Sequence, residues 1–269
     1  MITLLPPPSR LYKYQPVYED TDKNYSLRNL REQKLWFSKP ESFNDPFDCS
    51  INFDIIDADK DEKLQPLFDR LLDIVTDKTS FRSKYMTEGK VNDLLKADAI
   101  RMAKDATKSV IARKQFGTSC FAERNDNILM WSHYANSHKG FCLEFDTSFE
   151  PFKPRKVQNL LKVNYSEKYP PLNIDDIPNN SPSLPQNIYG IKSMCWSYED
   201  EWRMFSSAGD RSYSFDPLAL TGIYLGCNMD KTCKHEIAKM LHTFPSAKLY
   251  EMNRSESEFK VYPKELSLF

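Results

Sequence analysis

Gly140-Phe141-Cys142-Leu143-Glu144-Phe145-Asp146 alternates along its length, with Phe141, Leu143 and Phe145 on one side and Cys142, Glu144 and Asp146 on the other. A period of two sends these sets to opposite faces of an extended chain, so the stretch reads as a half-buried β-strand. Before it, Phe116-Gly-Thr-Ser-Cys-Phe121 is a second strand. The polar run Glu123-Arg-Asn-Asp-Asn127 between them is placed to cap a helix over residues 128–135. Further out, Leu11-Tyr-Lys-Tyr14 and Leu35-Trp-Phe-Ser38 read as short strands, and Ser26-Leu-Arg-Asn-Leu30 as a short helix capped by Asn24 or Ser26. More strands are expected at 222–226, 247–252 and 259–262, with a helix near 231–241.

From about residue 57 to 114 the period changes to 3.6. Leu64, Leu67, Phe68, Leu71, Leu72 and Val75 form one amphipathic stripe, and Val91, Leu95, Met102, Ala106 and Val110 a second. This is a helical insertion between strands. Residues 165–186 hold many prolines, asparagines and serines and read as a long surface loop, the kind that serves as a lid. The whole is α+β: one domain, residues 1–269, built on a curved or split, mainly antiparallel sheet.

Composition narrows the function classes. The 269 residues are 40% hydrophobic and 28% charged, and no run is long enough to cross a membrane. Lys plus Arg total 37 against 38 Asp plus Glu. A net charge of -1 excludes a chain-wide basic field, leaving only a local patch at Lys153-Pro-Arg-Lys156 and Lys162. The 7 glycines fall into neither G-x-G-x-x-G nor a P-loop, so phosphate cradles built from glycine backbones are excluded. The 6 cysteines include no C-x-x-C pair, and the N-terminus lacks a charged leader region. Free thiols in a reducing cytoplasm, with no structural metal, are the expectation.

Three constellations could carry chemistry. In Trp196-Ser-Tyr-Glu-Asp-Glu-Trp-Arg203, an extended chain would set Glu199, Glu201 and Arg203 on one face and Trp196, Tyr198 and Trp202 on the other. Two carboxylates about 7 Å apart beside a guanidinium suit a site that stabilises developing positive charge. Spacing alone describes a solvated edge strand with a surface ion pair at least as well. In Asn127-Ile-Leu-Met-Trp-Ser-His-Tyr-Ala-Asn-Ser-His-Lys-Gly140, His133 and His138 fall off a common helical face, so no metal pair is indicated. Met130, Trp131 and Tyr134 at helical spacing read as core before stacking platform. In Ser42-Phe-Asn-Asp-Pro-Phe-Asp48, an Asx turn before proline explains Asn44 and Asp45, and a rigid polar loop at a pocket mouth is the functional alternative.

Taken in order, Leu11-Tyr-Lys-Tyr, Leu30 to Ser38, Phe43-Asn-Asp-Pro-Phe-Asp, Cys120-Phe, Asn125-Asp-Asn, Met130-Trp-Ser-His-Tyr-Ala, His138-Lys-Gly-Phe and Trp196-x-Tyr-Glu-x-Glu-Trp-Arg resemble the bacterial domain-of-unknown-function 2971 family. The opening strand, short helix and Leu-Trp-Phe-Ser strand are more loosely similar to the ADP-ribosyltransferase superfamily, including DNA-targeting toxin-like members and RNA 2'-phosphotransferases. That resemblance implies a split-sheet fold, NAD as substrate, a macromolecular acceptor (nucleic acid or protein), and a toxin or phage-defence setting with a partner protein. It places NAD against Tyr12, Lys13, Tyr14, Asn44, Asp45, Trp131, His133, Tyr134 and Arg203, with Glu201 catalytic and Glu199 assisting as a base toward the acceptor. Lys13 stands where the superfamily has His or Arg. The stacking aromatic is Tyr14, Trp131 or Tyr134. Rival readings are a non-catalytic nucleotide or nucleic-acid binding module, a nuclease or other hydrolase with a divalent metal held by Glu199, Glu201, Asp45 and Asp48, and a non-enzymatic partner protein.

Overall fold

A computed structural model describes residues 6–18, 24–49, 116–153, 160–169 and 189–267, with short pieces at 55–56, 78–87, 90–91, 101 and 172–173. The chain is α+β with few helices and one dominant, mostly antiparallel mixed sheet. Its strands are β1 (Arg10–Gln15), β3 (Gly117–Ala122), β4 (Phe141–Asp146), β5 (Leu160–Lys162), β8 (Glu201–Ser206), β10 (Leu220–Leu225), β11 (Lys248–Arg254) and β12 (Val261–Glu265), in the order β12-β11-β10-β4-β1-β3-β8-β5. Two small pairs flank it. β2 (Lys34–Phe37) lies antiparallel to β9 (Arg211–Ser214), and β6 (Asn164–Ser166) parallel to β7 (Ile191–Ser193).

The one parallel pair in the large sheet is β10–β11, and α4 (Lys231–Met240) makes the crossover that a parallel connection needs. One face of the sheet carries Leu11, Phe121, Leu143, Phe145, Trp202 and Ile223, packed with Leu27 and Leu30 of α1 (Tyr25–Arg31) and Ile237 and Met240 of α4. The other carries Tyr14, Ala122, Cys142 and Tyr224, covered by Met130 and Trp131 of α3 (Ile128–Tyr134). On this second face of β4, Glu144 and Asp146 stay partly exposed, as the alternation implied, and Cys142 departs from it. Cys142 is fully buried there, because α3 packs over it.

Local chemistry explains most boundaries. Asn127 caps α3, its side-chain oxygen accepting from the amides of Leu129 and Met130 at 2.9 and 3.3 Å. Asn24 precedes α1 but makes no cap bond, because its amide is engaged by the Tyr18 backbone. Within the expected insertion, α2 (Lys78–Tyr85) is a helix, whereas Val91 pairs with Met86 in a short antiparallel ladder. The first stripe, residues 64–75, and nearly all of the second lie outside the described residues, as do 170–171 and 174–186 of the expected loop. Tyr165 and Ser166, which opened that loop, sit in β6.

Gly226 and Gly140 meet backbone to backbone, the Gly226 amide donating to the Gly140 carbonyl at 2.9 Å. A Cβ on Gly226 would stand 2.1 Å from the His138 carbonyl oxygen. Gly226→Ala is expected to cost about 1–3 kcal/mol, as overpacked sites do, read as a lower urea midpoint. An unchanged midpoint would show that this crossing relaxes freely.

Candidate functional site

The motif read as one strand from Trp196 to Arg203 is two elements. Met194–Glu199 is a 3-10 helix, opened by the Ser193 hydroxyl accepting from the Cys195 amide at 3.4 Å. Asp200 takes a left-handed conformation, φ 45°, and the chain then enters β8 at Glu201. β8 is an interior strand, between β3 and β5, so the solvated-edge alternative fails. Glu201 and Arg203 share a face as expected, with Trp202 on the other. Glu199 reaches them from the helix.

These side chains are buried. Glu199 is 3%, Glu201 4%, Lys192 6% and Arg203 0% exposed. Arg203 grips both oxygens of Glu201, from Nε at 2.8 Å and Nη2 at 2.9 Å. It also donates to Asp48 Oδ2 at 2.6 Å and to the Tyr189 carbonyl at 2.8 Å. Lys192, from β7, donates to Glu199 Oε2 at 2.5 Å and Glu201 Oε2 at 3.3 Å, and lies 3.5 Å from Asp48. The Tyr134 hydroxyl of α3 donates to Glu199 Oε1 at 2.5 Å, and the Glu201 amide donates to the Tyr165 hydroxyl at 2.8 Å.

Opposing forces drive the two carboxyls apart. Burial alone would raise the Glu201 carboxyl, but Arg203 and Lys192 outweigh it and hold the group down to about 2. Burial raises the Glu199 carboxyl, reinforced by Glu201, and Lys192 and Tyr134 only partly oppose it. Two carboxylates with separated affinities for a proton form an acid/base pair in which one stays charged while the other exchanges. A depressed carboxyl contributes stability that is present above its unfolded value near 4.5 and is lost as pH falls through its folded value of about 2. Wild type is expected to lose melting temperature over that window more steeply than Glu201→Gln. Parallel curves would contradict the assignment.

The remaining expected residues distribute unevenly. A cleft of about 1010 Å³ is lined by Tyr12, Lys13 and Tyr14 of β1, Cys120 of β3, Asn44, Asp48, His133, Tyr134, Lys192, Glu199 and Glu201. It opens where β1 and β3 are registered at a single position, Tyr12 opposite Ala122. Lys13 reaches across that gap to the Cys120 carbonyl at 3.0 Å, and burial lowers its ammonium against the pull of Glu201. Trp131 is fully buried, its indole donating to the Asn125 carbonyl at 2.7 Å, and it presents no free face. Tyr14 is also mostly buried, edge-on to Trp131. Of the three candidate aromatics, Tyr134 is the one whose hydroxyl meets a glutamate. His133 is exposed in the cleft with Trp196 and Tyr198 around it. Arg203 lies behind Glu201 and acts through it. Asp45 accepts from the Phe47 amide at 2.9 Å, the expected Asx turn, and does not join the ion cluster. The aspartate that joins is Asp48. In the four-carboxylate metal arrangement, Lys192 stands between Asp48, Glu199 and Glu201 as their counter-charge.

Tyr134, Lys192, both glutamates and Arg203 thus come from one continuous run, from α3 to β8. Residues 130–204 match the model of the family described as protein of unknown function (DUF2971). The DUF2971 segment begins at Met130 in α3 and ends at Met204 in β8, spanning the charge cluster except Asp48. No curated protein and no solved structure matches the chain, so the ADP-ribosyltransferase likeness rests on sequence motifs alone. Among the described residues, no helix is long and apolar enough to cross a membrane. Lys192, central to the DUF2971 cluster, carried no signal in the sequence. Only the parallel pairing of β6 with β7 brings it to the glutamates.

Proposed function

We propose that the cleft binds NAD and that the chain cleaves its nicotinamide bond, passing ADP-ribose to a macromolecular acceptor. The observation that carries this reading is the pair of buried glutamates, one held anionic and one raised, on a cleft that also receives the aromatic and basic side chains of β1. The cleft is large enough for a dinucleotide. As the C–N bond breaks, its electron pair leaves with nicotinamide and positive charge develops on the ribose. A fixed negative charge stabilises that centre best when it needs no reorganisation. Glu201 meets this requirement. A carboxylate has about four lone-pair directions, of which Arg203 takes two, Lys192 one and the Cys120 thiol one, so a ribose hydroxyl would donate to Glu201 in place of that weak thiol donor. Glu199 accepts the proton that the acceptor loses as its new bond to the ribose forms. In this reading Lys13, which exchanges its bond to the Cys120 carbonyl, meets the diphosphate, and the Tyr134 ring meets nicotinamide.

Thermal melting with NAD tests binding apart from turnover. NAD at about 100 times its dissociation constant is expected to add about 2.7 kcal/mol of stability. A melting temperature indifferent to millimolar NAD would overturn the reading. A shift without nicotinamide release would favour a non-catalytic binding module.

A further inference from the structure

The cleft is lined by two lysines whose surroundings differ in kind. Burial works against the charge of Lys192, but Glu201 at 3.3 Å and Glu199 at 2.5 Å, with Asp48 at 3.5 Å, outweigh it and keep the side chain an ammonium. Lys13 projects from β1 on the face that carries Leu11. Its partner across the ladder to β4 is buried Leu143, and its Nζ lies 5.0 Å from the centroid of the Phe121 ring. An ammonium has three hydrogens to donate, and the side-chain hydrogen bond that Lys13 makes among the described residues goes to a neutral group, the Cys120 carbonyl at 3.0 Å. Burial lowers this ammonium. Glu201 pulls the other way, but Arg203 and Lys192 already hold that carboxylate, and burial wins. The side chain is half-buried rather than sealed, and it faces the cleft at the gap where β1 and β3 part.

A desolvated lysine on an open cleft is a nucleophile, because the amine carries the free electron pair that the ammonium lacks. The ligand such an amine takes without an activated leaving group or a co-reactant is an aldehyde. The nitrogen lone pair forms a C–N bond to the carbonyl carbon, both amine hydrogens leave with the carbonyl oxygen as water, and an imine remains. Nothing is oxidised or reduced. Tyr12, Ser38, Ser42 and Asn44 line the same cleft with hydroxyl and amide groups, which suit a sugar better than an apolar aldehyde.

We propose that Lys13 is a carbonyl-reactive lysine that captures a sugar in its open-chain aldehyde form once the cleft is free of NAD. The ADP-ribose set free when water takes the place of the acceptor is such a sugar. That source rests on the NAD reading, whereas the reactivity of the lysine does not. The purified chain is incubated at neutral pH with ADP-ribose or with ribose 5-phosphate, reduced with cyanoborohydride and mapped by peptide mass spectrometry. Lys13 is expected to carry the reduced adduct at roughly tenfold or more the occupancy of any exposed lysine, as a lowered amine supplies more of its free form. Lys192 is expected to carry none, and Lys13→Arg to lose the adduct at that position while its other lysines react as before. Because the adduct is mapped on wild type, a variant that fails to fold leaves the test intact. An adduct spread evenly over the exposed lysines, or a Lys13 that neither sugar modifies, overturns the proposal and leaves an ammonium that bridges β1 to β3. Trapping of ribose 5-phosphate alone keeps the capture and removes its tie to NAD turnover. If both sugars are trapped but NAD does not protect Lys13 and wild type releases no nicotinamide, the lysine stands and the NAD reading fails.

Discussion

Arg203→Met is expected to lower stability by about 3–5 kcal/mol, the range seen when one partner of a buried ion pair is removed. The side chain is fully buried and donates to Glu201, Asp48 and the Tyr189 carbonyl. Its loss leaves two buried carboxylates with Lys192 as their remaining cation. The cost therefore lies in the uncompensated charges rather than in the net worth of the bonds. It follows that replacing Arg203, Glu201 and Asp48 together by apolar residues of similar volume restores much of the loss. Arg203→Lys falls between, because an ammonium cannot reproduce the two-pronged grip on Glu201. Urea unfolding at neutral pH measures all three, and a loss below about 1 kcal/mol for Arg203→Met would be the value of an exposed pair, not of a buried one.

Glu201→Gln is expected to reduce nicotinamide release by about 10²–10³-fold, the scale of removing one preorganised electrostatic partner of a transition state. The substitution keeps shape and removes the negative charge. It also removes the counter-charge of Arg203, so some loss of stability accompanies it and activity must be read well below the variant's melting temperature. Asp48→Asn supplies the comparison. It strips a different partner from Arg203 while the Glu201 grip remains, so it is expected to cost stability with a much smaller loss of rate. Equal rate losses in the two variants would mean that Glu201 matters only as part of the folded ion cluster.

The sequence-level reading succeeded where local chemistry decides. The alternation of Phe141 to Phe145, the aromatic-basic strand at Leu11 to Tyr14 and the Asn127 cap all act within a few residues, so each was legible. It failed where two elements compete or where distant pairing supplies a partner. Alternation from Trp196 to Arg203 fits a strand, yet the Ser193 cap and the left-handed Asp200 turn its first half into a helix. Cys142 fell on the polar side of its strand and is buried, since nothing in β4 itself announces that α3 covers it. Trp131, a stacking candidate by type, is a core residue by position. Lys192 is the clearest loss. A single lysine between Ile191 and Ser193 is indistinguishable from a surface residue until β6 and β7 pair and set it among three carboxylates. Asp48 was noticed only as a metal ligand, although its aspartate chemistry serves Arg203 equally well.

The central claim is that an anionic Glu201 on this cleft stabilises the ribose as nicotinamide leaves. Its most direct measurement is nicotinamide released from NAD by the purified chain, with nucleic acid and protein each supplied as acceptor, for wild type and Glu201→Gln under conditions where both are folded. Wild type is expected to release nicotinamide, and the variant at least about a hundredfold less. Release that is equal in the two folded proteins, or absent from wild type, would contradict it.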